Sequence, residues 1–190
     1  MRNILKNRTA LSTVVTTLII LVVSVLLAGV VTYFAINVTS TRVQEENLAM
    51  TKQHIWDDQT NALGAIMITN TGGRDVVISK VAIRGQASPW TNVFYNISAT
   101  AITVDIPFNK TLCDAATAPT GIFLQTIGTG YNFTAGTTNP LVLPSGQTML
   151  MYIKSPDSIS VNDIGLTVAI TVFTSQAMYY KETNVEAAVS

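Results

Sequence analysis

No charged residue stands between Arg8 and Arg42. Val, Leu, Ile and Ala dominate the interval from Thr9 to Thr41, most densely over Val14 to Val38. A bilayer core takes roughly 20 apolar residues in a helix. About 28 residues rising about 1.5 Å each give about 42 Å, enough to span with length to spare. The run exceeds the roughly 7–15 apolar residues of a secretory signal core. Arg2, Lys6 and Arg8 precede it. Such a short basic head stays in the cytoplasm, which places the bulk of the chain outside.

Two readings follow. In the first, one helix anchors an external binding domain. In the second, the helix is a rod that packs with copies of itself. No Gly or Pro interrupts Ala35 to Gln53, and Arg42 to Met50 favours helix. The sequence therefore predicts a hydrophobic N-terminal helix over 11–53, a rod of roughly 60 Å. A plain anchor has no need of that length, whereas a fibre of parallel rods does.

The junction between basic head and apolar run carries a small residue, Ala10. A cut there would leave the hydrophobic helix on the mature chain, the reverse of ordinary signal cleavage. The run Lys6-Asn7-Arg8-Thr9-Ala10-Leu11-Ser12-Thr13-Val14-Val15-Thr16-Thr17-Leu18-Ile19-Ile20 resembles the N-terminus of archaeal type IV pilins. The resemblance is close over residues 1–50 and architectural beyond them. It implies a class III signal peptide over residues 1–10 and prepilin-peptidase cleavage between Ala10 and Leu11. Bacterial pilins carry Glu at the fifth mature position, where Val15 stands if Leu11 is first. Its absence points to the archaeal branch.

The family implies a partner set: further copies of the chain in a helical filament, the prepilin peptidase, the pilus assembly machinery, and the cytoplasmic membrane before assembly. The mature protein then lies in a cell-surface filament, its heads free for adhesion. An archaellin, the subunit of a rotating motility filament, is the close variant. Leu18, Leu21, Val22, Val25, Leu26, Gly29 and Val30 are the candidate helix-packing residues. They leave no polar face, so lipid or protein is needed on every side. Ser24, Ala28, Gly29 and Thr32 are small enough for neighbouring helices to approach.

Charge narrows the partners. Eleven bases balance 11 acids. Losing the leader leaves eight bases, a net −3, and no basic patch for nucleic acid. The single cysteine, Cys113, excludes an intrachain disulfide. It reads as a small buried hydrophobe.

From residue 54 the pattern changes from helical to alternating, which predicts a β head over 54–190. Leu63–Asn70 reads as a strand. Thr71-Gly72-Gly73-Arg74 reads as a hairpin turn whose glycines supply positive φ, with Asp75–Arg84 returning. Further strands are predicted at 101–108, 121–127, 141–143, 148–153 and 165–174, with 177–186 pairing back. Residues 114–140 read as an exposed insertion. The fold class is α+β: a long hydrophobic N-terminal helix, then an antiparallel β-sandwich. The strand order resembles the immunoglobulin-like heads of archaeal pilins and archaellins.

No catalytic constellation emerges, and no cofactor or metal is predicted. His54, the one histidine, has no second His or Cys at ligand spacing. Asp57, Asp58 and Asn61 lack the Gly and distal Glu of a calcium loop and read as a solvated turn. Asn-X-Ser/Thr sequons begin at Asn37, Asn96, Asn109 and Asn132, besides Asn7 in the leader, and mark possible N-glycosylation.

Overall fold

A computed structural model describes residues 8–43, 45–114, 122–127, 129–136 and 140–188, with side chains over 11–41, 45–114, 133–136 and 140–188. Residues 1–7 of the expected leader lie outside the described residues. The chain divides into two compact units, Met1–Val43 and Gln44–Ser190.

The described part of the first unit is a single helix, α1 (Arg8–Val43), 36 residues and about 54 Å long. The predicted rod to Gln53 is corrected: helix stops at Val43, and Leu48–Asp57 is a strand. Helix propensity over Glu45 to Ala49 is a weak preference. Burial outweighs it. Leu48, Met50 and Ile55 all enter the core of the second unit, which a helix from 44 to 53 would forfeit.

Among the described residues, the second unit contains eleven strands and one short α-helix: β1 (Leu48–Asp57), β2 (Ala62–Asn70), β3 (Val76–Ile83), β4 (Gln86–Ala87), β5 (Val93–Ser98), α2 (Lys110–Asp114), β6 (Ile122–Ile127), β7 (Thr129–Ala135), β8 (Leu141–Leu143), β9 (Thr148–Lys154), β10 (Thr167–Thr174) and β11 (Met178–Ala187). The coarse expectation, an apolar helix followed by a strand-rich domain, holds. The pairing differs from two separate sheets. The strands follow one path, β4-β3-β10-β11-β1-β2-β9-β5-β7-β6, with β8 added to β3. The sheet curls on itself as a half-barrel. Its two halves join where β1 and β11 run parallel, through Ile55–Val185, Trp56–Glu186 and Asp57–Ala187.

The halves face each other over the main core. Ile66, Ile68, Met149, Met151 and Ile153 come from one side, and Ile78, Val81, Ile83, Ile170 and Val172 from the other. The approach is close: a Cβ on Gly64 would lie 2.8 Å from Ile83 Cδ1. A second core lies behind β2, β5 and β9. There Leu63, Phe94, Leu150 and Tyr152 pack under Ile102, Ile106, Leu112, Cys113 and Phe133. The central strands are thus covered on both faces, and all seven residues of β9 are buried. That is why Met149 to Ile153 reads as an unbroken apolar run instead of an alternation.

Three further expectations change. Residues 71–74 do not close a hairpin. β2 pairs with β1 and β9, while β3 pairs with β10, β4 and β8, so this turn carries the chain from one half to the other. Gly72 is required by a close approach, not by its φ: a Cβ there would stand 2.6 Å from the Glu45 carbonyl oxygen. Residues 101–108 form no strand. Ile102 and Ile106 are buried, but Val104 between them is 47% exposed. This irregular segment lies as a cover over the second core. Within 114–140, β6 and β7 form a hairpin that extends the sheet beside β5, and Phe133 is fully buried against Tyr152, ring centroids 5.3 Å apart.

Candidate functional site

The feature that departs most from a self-contained protein is the surface of α1. Every described side chain from Leu11 to Thr41 is exposed. Leu18, Leu21, Val25, Leu26 and Val30 each leave more than half their surface open, and nothing lies within 4 Å of a Cβ placed on Gly29. Leu11–Thr41 is long and apolar enough to cross a membrane. Its 31 residues rise about 46 Å, against a hydrocarbon core of about 30 Å. The apolar residues surround the axis with no polar stripe, as a helix enclosed by lipid or by other helices requires.

The hydroxyls of this helix supply a feature that the sequence reading missed. Thr16 donates to the Ser12 carbonyl at 2.9 Å, Thr17 to Val14 at 2.9 Å, Ser24 to Ile20 at 2.6 Å, Thr32 to Ala28 at 2.8 Å and Thr41 to Asn37 at 2.9 Å. Each of these five hydroxyl hydrogens is spent on the helix's own backbone. These residues therefore enter an apolar medium without an orphaned donor. Ser or Thr spaced through an unbroken apolar helix is the sequence signal for this.

The expected cleavage point, Ala10–Leu11, falls in the first turn of α1.

The sequons occupy unlike places. Asn37 is exposed on α1. Asn96 is half-buried on β5, opposite Leu150 of β9. Asn109 is buried, and its Oδ1 accepts the Leu112 N–H at 3.0 Å at the start of α2. A glycan attaches through Nδ2, and a side chain this buried leaves no room for one, so the fold argues against its use. Asn132 lies in β7, and its side chain is outside the described residues.

The other candidates take structural roles. Asp57 Oδ1 accepts the Gln59 N–H at 2.8 Å, and Asp58 Oδ1 accepts those of Thr60 and Asn61 at 3.0 and 2.7 Å. Both carboxylates thus build the turn between β1 and β2. Burial pushes the Asp58 carboxyl up, but these N–H donors outweigh it and hold it below the usual carboxylate range. Cys113 is fully buried, as expected, with Sγ 3.5 Å from the Asn61 carbonyl oxygen. Burial, then the negative charge of Asp58, pushes its thiol up to about 12, so it is protonated and poorly nucleophilic at neutral pH. Asp58, Cys113 and Asp114 place their ligand atoms within 4.8 Å of one another. A protonated thiol and two carboxyls, one of them committed to a turn, make a poor cation site.

The leading residues of the head are firmly held. Thr71 and Gly72 donate N–H bonds to the Asn47 carbonyl at 2.9 and 3.1 Å, and Gly73 donates to Glu45 at 3.3 Å. The buried Asn70 side chain organises this loop. Its Nδ2 donates to the carbonyls of Arg74 and Leu143 at 2.8 and 3.0 Å, and its Oδ1 accepts the Gly72 N–H at 3.0 Å. Thr174 Oγ1 bonds the Glu46 carboxylate, and the Tyr179 hydroxyl donates to the Glu46 carbonyl. No protein-family model matches this chain, and no curated protein matches its sequence.

Proposed function

We propose that the chain is a structural subunit of a cell-surface filament of the archaeal type IV pilus kind. It is made as a membrane-inserted precursor and clipped between Ala10 and Leu11 by a prepilin peptidase. Its helices then pack into a filament core and its β heads face outward for adhesion or surface contact. The head is a curled relative of the immunoglobulin-like sandwich, two halves of one sheet closing on a shared core. The protein acts by assembly, with no enzymatic step.

The observation that carries this reading is the excess of α1. Its apolar surface exceeds one bilayer crossing by about 11 residues. At about 25 cal/mol per Å2, leaving that surplus in water is strongly unfavourable. Neighbouring copies of the same helix cover its whole length, whereas lipid alone covers about two thirds of it unless the helix tilts. The self-satisfied hydroxyls suit both the precursor in lipid and the packed core. An archaellin-type motility filament makes the same demand on α1 and is the close variant.

The stop at Val43 favours a second reading: a single-pass anchor carrying a β-domain that binds a ligand. The shortened helix lacks the polar extension to Gln53 that had helped to distinguish the two. The N-terminal residue of protein isolated from native membranes or filaments, read by mass spectrometry, separates them. A mature start at Leu11 with the helix retained supports assembly. An intact Met1 in protein that stays in the membrane supports the anchor.

A further inference from the structure

We propose that bilayer hydrocarbon encloses α1 over residues 14–33 alone. Lipid headgroups then meet Tyr33 and Phe34 at the outer edge, and residues 35–43 emerge with the side chains of Asn37, Thr39 and Ser40 in a wet environment. The proposal rests on α1 being inserted in a membrane, which the precursor and the anchor readings share. It adds where along the helix the membrane lies.

Length sets the first bound. Leu11–Thr41 has 31 residues and rises about 46 Å, against about 30 Å of hydrocarbon. Burying all of it would take a tilt of about 50°, whereas spanning helices lie within roughly 40° of the bilayer normal. Part of α1 therefore stands outside, and its hydrogen bonds distinguish which part.

An apolar medium tolerates a polar side chain whose donor is bonded within the helix and opposes one whose donor is not. Thr16, Thr17, Ser24 and Thr32 all donate to backbone carbonyls three or four residues earlier. The exposed side chains of Asn37, Thr39 and Ser40 make no such bond among the described residues. The Asn37 carboxamide alone brings two donor hydrogens and an acceptor oxygen, which call for water or headgroups. A window of about 20 residues that ends at Tyr33 begins at Val14. It takes in the four bonded hydroxyls and none of the three unbonded side chains. Moved four residues toward the C-terminus, it would bury Asn37. Moved four residues the other way, it would strip lipid from Val30 and Val31, each more than 60% exposed.

The ends of the window agree. Tyr33 is the one Tyr or Trp of α1, and its side chain is 71% exposed. An apolar ring with a wet hydroxyl suits the headgroup level. Arg8 lies about 9 Å before Val14 and Arg42 about 14 Å beyond Tyr33, so both charges clear the hydrocarbon. Ile36 and Val38 fall within about 8 Å of the outer edge, in the headgroup layer. This end of α1 is the part that lipid covers least.

The test reconstitutes the full chain into dioleoylphosphatidylcholine vesicles. Single-cysteine variants Val25→Cys, Val30→Cys, Thr39→Cys and Ser40→Cys are labelled with a membrane-impermeant maleimide. Wild type, whose Cys113 is buried, is the blank, and Gln176→Cys on the exposed β10–β11 turn gives the reference for outward-facing molecules. Thr39→Cys and Ser40→Cys should label like the reference. Val25→Cys and Val30→Cys should label at least about tenfold less, because a thiol in hydrocarbon stays protonated. Retention of the chain on alkali washing reports insertion separately. A retained chain in which Ser40→Cys is as protected as Val25→Cys overturns the register and leaves insertion standing. So does a retained chain in which Val30→Cys labels like the reference. A chain stripped off by alkali overturns insertion and the register together.

Discussion

Leu26 in α1 and Leu63 in β2 are the same residue in opposite circumstances. Leu26 is 63% exposed and Leu63 is 0% exposed. The head buries its apolar side chains against one another, on one face in β10 and on both faces in β9. α1 has the denser apolar sequence and buries none of it. The head therefore holds its stability within its own contacts. α1 is completed only by what surrounds it, so its surroundings become part of its structure. Backbone hydrogen bonding makes such a helix possible, since its donors and acceptors are satisfied internally in any medium.

Substitutions that separate the two kinds of burial test this contrast. Phe94→Ala should have the largest effect, about 3–5 kcal/mol off head stability, read by denaturant unfolding monitored by tryptophan fluorescence. Membrane partition of the chain should not change. Leu26→Asp is the reciprocal case. A carboxylate near the middle of the apolar run should cost roughly 3 kcal/mol of insertion, read as protein lost from alkali-washed membranes. The head's near-ultraviolet circular dichroism should stay as in wild type. If Leu26→Asp unfolds the head, the division into a self-contained unit and a dependent one is wrong.

Asn70→Ala should be milder, about 1–3 kcal/mol, because two carbonyls lose the Asn70 donor in a nearly closed site and the Gly72 N–H keeps only its bond to Asn47. Exchange of the Thr71 to Gly73 amides, which hold the leading residues 45–47, should rise first. The smallest effect belongs to Asp163. Its carboxyl accepts from the Ser160 hydroxyl and N–H, its largest influences, and it also pairs with Arg84 at 2.7 Å, so it sits below the usual carboxylate range. A lowered folded-state value gives stability that is present above the ordinary value of 3.8 and is lost as pH falls through the folded one. Asp163→Asn should therefore be slightly less stable than wild type near neutrality and converge with it in acid, read by paired unfolding curves across that range.

Much of the head was legible locally. The strands at 63–70, 122–127, 141–143 and 148–153, and the final antiparallel pair, lie within a residue or two of where the pattern placed them. Two of the strands that the sequence reading passed over, β1 and β5, have physical explanations. In β1 the apolar positions 48 and 50 are followed by 55, because the bulge at Lys52 breaks the alternation, and the flanking Glu, Ala, Lys and Gln favour helix. β5 follows Pro89 and a 3-10 turn at Trp90–Asn92, and Asn96 interrupts its apolar residues. Residues 101–108 erred in the other direction. Ile102 and Ile106 are buried because the segment drapes over Leu63, Phe94 and Tyr152, with no ladder beneath it.

The sequence by itself determined that residues 9–41 form a helix needing an apolar environment, since uninterrupted apolar composition leaves no other satisfied backbone. It also determined that the remainder is β-rich. Only the tertiary structure decided where the helix gives way to the sheet, that Gly72 serves a close approach, and that Asn109 is buried at the start of α2. It alone placed His54 between two carboxylates more than 50 and 130 positions away in the chain. Each of these is settled by a contact distant in sequence, and local propensity carries no record of it.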